Sequence, residues 1–107
     1  MADQNKVNHP SAAFRHHSIN EADRLFAEAL SIASRAESGD GEAITWNEAG
    51  SLYEQSATLF RRADLGLMAR DIYEQAGYCF DRAGASDDAT RCVILANVIS
   101  VYWESVR

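Results

Sequence analysis

The chain has 107 residues, 47% of them apolar and 24% charged, with a net charge of −6. Those values describe one globular domain of modest core, and they argue against a nucleic-acid backbone or an anionic membrane as partner, because the field is negative and the nine Arg and one Lys are dispersed. Two Cys without a signal-peptide pattern point to a reducing, cytoplasmic setting, and the longest apolar run, residues 92–103, falls short of the roughly 20 residues a membrane span needs.

Residues 1–17 are polar, hold all three histidines and the only proline, and show no helical period. They are expected to form a flexible arm ahead of a single domain at residues 18–107. His9, His16 and His17 lack further ligands at zinc spacing, so no metal is expected.

Helix 1 is predicted over about 19–38. Ser18 with Glu21 has the form of a capping box. Apolar or small residues at 19, 22, 26, 29, 33 and 36 then alternate threes and fours, and Leu25, Leu30 and Ile32 widen that stripe. Ser38–Gly39 is the stop, and Asp40–Gly41 completes a turn. Helix 2, over about 42–63, has a second candidate box in Thr45 and Glu48. It carries the stripe Trp46, Ala49/Gly50, Tyr53, Ala57, Phe60, Ala63, and Arg61 and Arg62 close its last turn. Asp64–Leu65–Gly66 leaves room only for a tight reversal. Helix 3, over about 66–83, ends at Gly84, and Ser86 is expected to cap helix 4, over about 87–106, with Asp87 and Asp88 in its first turn. Connections this short make consecutive helices antiparallel. The same geometry sets Cys79 and Cys92 symmetrically about the turn at 84–88, as two buried thiols in one seam.

One phrase is written twice. Residues 53–63 read YEQSATLFRRA and residues 73–83 read YEQAGYCFDRA, an offset of 20. A fainter copy upstream sets Ala22, Phe26 and Ala29 at the spacing of Ser56, Phe60 and Ala63, 34 residues later. Small residues let helix backbones approach, and the neighbour's aromatic ring fills the space beside them.

Small–x3–aromatic–x2–Ala resembles the second helix of a tetratricopeptide repeat, and Trp46, Gly50 and Tyr53 match the pattern of its first helix. The doublet's wording more closely resembles the tetratricopeptide-like repeats of soluble NSF-attachment proteins. After Trp46 the partner-helix pattern is out of phase, with Arg62 and Gly66 in its first two places, and no Pro closes a repeat. The resemblance, over residues 19 to about 100, implies an all-α fold of four antiparallel helices stacked as two helix hairpins. It implies an adaptor, scaffold or chaperone-like role. The Lys, Arg and Asn set with which some relatives hold peptide tails has no counterpart here.

Helix 4 departs from the pattern. Cys92, Leu95, Ala96, Ile99, Trp103 and Val106 form the stripe expected to face helix 3. Ile94, Val98, Val101 and Tyr102 extend the apolar arc to about 220°, where a surface helix needs little more than 100°. We therefore expect Ile94, Val98, Val101, Tyr102 and Trp103 to bind a protein partner, most simply a second copy in a homodimer. The alternative packs helix 4 between helices 1 and 3 of its own chain. A second, polar candidate face pairs Gln55 with Arg62 and Gln75 with Arg82, each seven residues apart.

No enzyme is expected. Beyond residue 17 there is no histidine, no Glu-x-x-His pair for a di-iron site and no phosphate-binding loop. No cofactor and no small-molecule substrate are inferred. The other functional class open to the sequence is a small acidic inhibitor that covers a basic protein surface through its charge.

Overall fold

The computed structural model describes residues 11–39 and 41–106. They form four helices and no strand: α1 (Ala12–Glu37), α2 (Ala43–Arg62), α3 (Gly66–Arg82) and α4 (Ser86–Val106). Each helix packs chiefly on its neighbours in sequence, α1 on α2, α2 on α3 and α3 on α4. The molecule measures 56 × 27 × 19 Å. Its core runs through all four helices and is rich in alanine and aromatic rings.

Side-chain pairs give the register. The Ser56 hydroxyl donates to the Ala22 carbonyl at 2.7 Å. One end along, Arg15 Nε donates to the Ala63 carbonyl at 2.9 Å. As α1 advances, its partner on α2 recedes, so the two helices are antiparallel. The 34-residue offset therefore joins residues in direct contact across one hairpin. Between α3 and α4, Gly66 meets Trp103 and Gly77 meets Cys92, two pairs symmetric about the same point of the turn.

The doubled phrase includes its own stop signal. At the end of α2, Leu65 N–H donates to the Phe60 carbonyl (2.9 Å) and Asp64 N–H to the Arg61 carbonyl (3.0 Å). Twenty residues on, Ala85 N–H donates to Phe80 (2.9 Å) and Gly84 N–H to Asp81 (3.0 Å). Such a stop needs one residue at positive φ. Gly84 supplies it at φ 77°, and Asp64 supplies it at φ 70°.

One start and three caps differ from expectation. α1 begins at Ala12, capped by Ser11, whose hydroxyl accepts from Phe14 N–H at 3.1 Å. Ser18 is no cap: it is 1% exposed and heads the buried stripe Ser18, Ala22, Leu25, Ala29, Ile32, Ala36. Residues 12–17, expected in the arm, are thus helical, with His16 and His17 exposed on them. Residues 1–10, with His9, and Asp40 of the expected turn lie outside the described residues. α2 begins at Ala43 with Glu42 as its cap residue, which leaves Thr45 inside the helix rather than at its start. Trp46 N–H bonding to the Glu42 carbonyl at 3.1 Å fixes that earlier turn. Ser86 is the first residue of α4, while the preceding Ala85 carbonyl accepts from Ala89 N–H.

Candidate protein-interaction surface

α4 buries one side only. Cys92, Ala96 and Ile99 are sealed against α3, and Leu95 and Trp103 pack on the core from its edge. The opposite side presents Ile94, Val98, Val101 and Tyr102 at 54%, 50%, 66% and 60% exposure. Ile94, Asn97, Val98 and Val101 line one shallow depression of about 400 Å³. Val98 and Tyr102 also border a cleft of about 270 Å³ that reaches Arg61 and Asp64 beyond α3. The alternative in which helix 1 flanks helix 4 does not hold, since α4 rests on α3. Its main tie to α2 is electrostatic: Arg91 makes a two-pronged ion pair with Glu54 (2.7 and 2.8 Å) and a further bond to Asp88 (2.7 Å). Those bonds, Glu54's first, push the guanidinium pKa still higher.

Of the five apolar residues expected at the interface, the structure brings four together on the outer face. Trp103 is the exception. A Cβ on Gly66 would collide with the indole nitrogen of Trp103, so the ring occupies the space that Gly66 leaves open. Of the expected reversal Asp64–Leu65–Gly66, Asp64 takes the positive φ, and Gly66, the first residue of α3, admits the ring.

The four polar residues are not on one face. Gln55 bonds to Ser51 (3.3 Å) and lines a cleft with Arg62 between α1 and α2. Gln75 lines a different groove. Arg82 is committed to packing, with its guanidinium 4.9 Å from the centre of the Trp46 ring and bonded to the Tyr78 hydroxyl at 3.2 Å.

A second surface is absent from the sequence reading. α1 and α3 border a groove of about 540 Å³, floored by Tyr53 and Phe60 of α2 and walled by Phe26, Leu30, Met68 and Ile72. It continues past Leu30, Tyr53 and Gln75 into a smaller hollow beside Trp46 and Cys79. Every charged side chain lining the two is acidic: Asp23, Glu37 and Asp71. Phe26 and Tyr53 have the repeat's packing spacing, and that spacing alone gives no sign that they also wall a groove. The available signal was Leu30 and Met68, which stand half exposed beside the core stripes.

The buried groups serve packing. Cys79 and Cys92 are free, and burial pushes their thiols up to about 11 and about 12 respectively, with nearby Glu54 adding to the second. Burial first, and then neighbouring Cys79, raises the Tyr53 phenol. Among the described residues no group of three or more His, Cys, Asp or Glu is placed to hold a metal. Among the described residues no helix is long and apolar enough to cross a membrane.

Compared with known proteins, the chain matches no family model, and no curated protein and no solved structure is significantly similar to it.

Proposed function

We propose that this chain is a non-enzymatic protein–protein interaction module of the tetratricopeptide-like class, an adaptor or scaffold that works through the outer face of α4. One observation carries the reading. Ile94, Val98, Val101 and Tyr102 form a contiguous apolar strip at least half exposed, on a helix whose other side is already buried. Full burial of an exposed side chain of this kind contributes roughly 1.5–3 kcal/mol. Each of the four is already a third to a half covered, so a protein that covers them gains roughly half to two-thirds of that from each. The small and aromatic residues of the helix seams support a helix-hairpin stack of this general kind, although the first-helix pattern (Trp46, Gly50, Tyr53) and the second-helix pattern (Ser56, Phe60) both fall on α2. The two free buried thiols fit a reducing, cytoplasmic compartment.

Capture of partner proteins by the wild-type chain and by Val98→Asp, with helicity checked by circular dichroism, tests the proposal. Val98 is half exposed, so the variant keeps its fold. Partners held by the wild type and lost by the variant are expected; a chain that holds the same proteins either way removes α4 from the account.

A second reading, the acidic inhibitor, is favoured by the groove between α1 and α3, whose lining carboxylates are Asp23, Glu37 and Asp71, the last of them paired with Arg70. A basic protein seated there would associate at a rate that falls steeply with added salt. Binding through α4 would be nearly indifferent to salt.

A further inference from the structure

We infer that the partner on α4 is a second copy of this chain, crossing antiparallel with Val98 at the two-fold axis. The inference rests on the reading of α4 as the interaction face and specifies what covers it.

Spacing is the first support. Ile94, Val98 and Val101 follow one another at steps of four and three, the spacing of a helix–helix seam. The seam is short, because the next positions on the same line are Arg91 before it and Ser105 after it. Ile94 and Val101 lie about one turn to either side of Val98. A strip with that symmetry is complementary to itself: Val98 meets Val98, and Ile94 meets Val101 of the other copy.

Charge chooses the direction. The chain carries −6, so copies repel in general, yet no ionisable group interrupts the strip from Ile94 to Val101. The first turn of α4 carries Asp87 and Asp88. A parallel pairing would set four carboxylates side by side, together with two like-signed helix ends. An antiparallel pairing separates the carboxylates by most of the helix length and brings opposite helix ends together. It also continues the succession of antiparallel neighbours that each chain already uses from α1 to α4.

Area sets the strength. A stable specific interface covers roughly 800 Å² per partner. Four half-exposed side chains of this size supply less than half of that, at roughly 60–120 Å² each for complete burial. The pairing is therefore a concentration-dependent equilibrium and not an obligate dimer.

Cysteine placement tests it directly, because Cys79 and Cys92 are buried and leave the wild-type background quiet. Under mild oxidation Val98→Cys is expected to form a disulfide-linked dimer far faster than Ala27→Cys, an exposed position on α1. Ile94→Cys and Val101→Cys should each self-link slowly and link to one another quickly when mixed. Equal rates for Val98→Cys and Ala27→Cys overturn the pairing, and fast self-linking of Ile94→Cys overturns its direction. Sedimentation separates this failure from that of the underlying reading. A wild type that stays monomeric at the highest soluble concentration, yet holds another protein that Val98→Asp releases, refutes self-pairing and leaves the interaction face intact.

Discussion

The α2–α3 hairpin and the α3–α4 hairpin share a stop signal and a 20-residue step, yet they are finished differently. In the first, both helices are covered on two sides. Phe80 of α3 lies on Gly50 of α2, where an added Cβ would come within 3.0–3.1 Å of the ring. The Tyr73 and Thr58 hydroxyls join at 2.9 Å. In the second, α4 uses the same small-residue device toward α3, with Trp103 on Gly66 and Cys92 near Gly77, and then leaves its far side apolar and bare. The repeat thus builds each contact inside the stack. Among the described residues α4 packs chiefly on one neighbour where α2 and α3 pack on two, and the proposed partner takes the side left open.

The largest expected contrast is between the two faces themselves. Phe80→Ala empties a site 3% exposed and should cost about 3–5 kcal/mol in denaturant unfolding. Val101→Ala, at 66% exposure, should stay within about 0.5 kcal/mol at a protein concentration low enough for monomer. A large cost for Val101 would mean that α4 is covered within its own chain.

Backbone approach gives the next effect. Gly50→Ala drives a methyl into the Phe80 ring between two buried helices and should cost about 1–3 kcal/mol. Gly66→Ala should cost less, because half-buried Trp103 can swing outward, and a red shift of its emission would report the movement. Equal costs with no spectral change would remove the distinction between an enclosed hairpin and one open on its far side.

The two thiols, expected in one seam, lie in different ones, Cys79 beside Trp46 and Tyr53 of α2 and Cys92 against Gly77 of α3, and they give a pH test. Below pH 9.0, the ordinary thiol value, Cys79 and Cys92 are protonated both folded and unfolded. Above it the unfolded chain loses those protons first, so the thiols' contribution to stability falls as pH rises, until the buried groups ionise near 11 and 12. Removing both thiols (Cys79→Ala with Cys92→Ala) should flatten the alkaline limb of the stability profile. An unchanged limb contradicts their burial. The smallest effect is expected from Arg91→Ala, which releases α4 from Glu54 across a solvent-exposed ion pair and should cost about 0.2–1 kcal/mol, less at high salt.

Much of this was legible in the residues, because helix stops have strong chemical signatures. Gly39, Asp64 and Gly84 all take positive φ where the chain's punctuation asks for it. The exposed strip on α4 was legible too, since period alone shows when an apolar arc is too wide for one neighbour. Starts were harder to read. Ser18 with Glu21 has the form of a cap, and nothing local reveals that Ser18 is a small residue in a buried seam and that Ser11 does the capping. Gly66 and Trp103, 37 positions apart, meet only after α3 and α4 fold back on each other. The groove between α1 and α3 was barely legible, with only Leu30 and Met68 beside the core stripes to mark it. Its walls come from three helices, and the residues that form it have the same spacing as core.

Under the proposal, a second copy of the chain occupies the outer face of α4. Sedimentation equilibrium on the wild type and on Val98→Asp over one concentration series tests it most directly. The wild-type mass should climb with concentration toward that of a dimer, and a variant of intact helicity should stay at the monomer mass throughout. Identical masses for the two proteins across the series would contradict it.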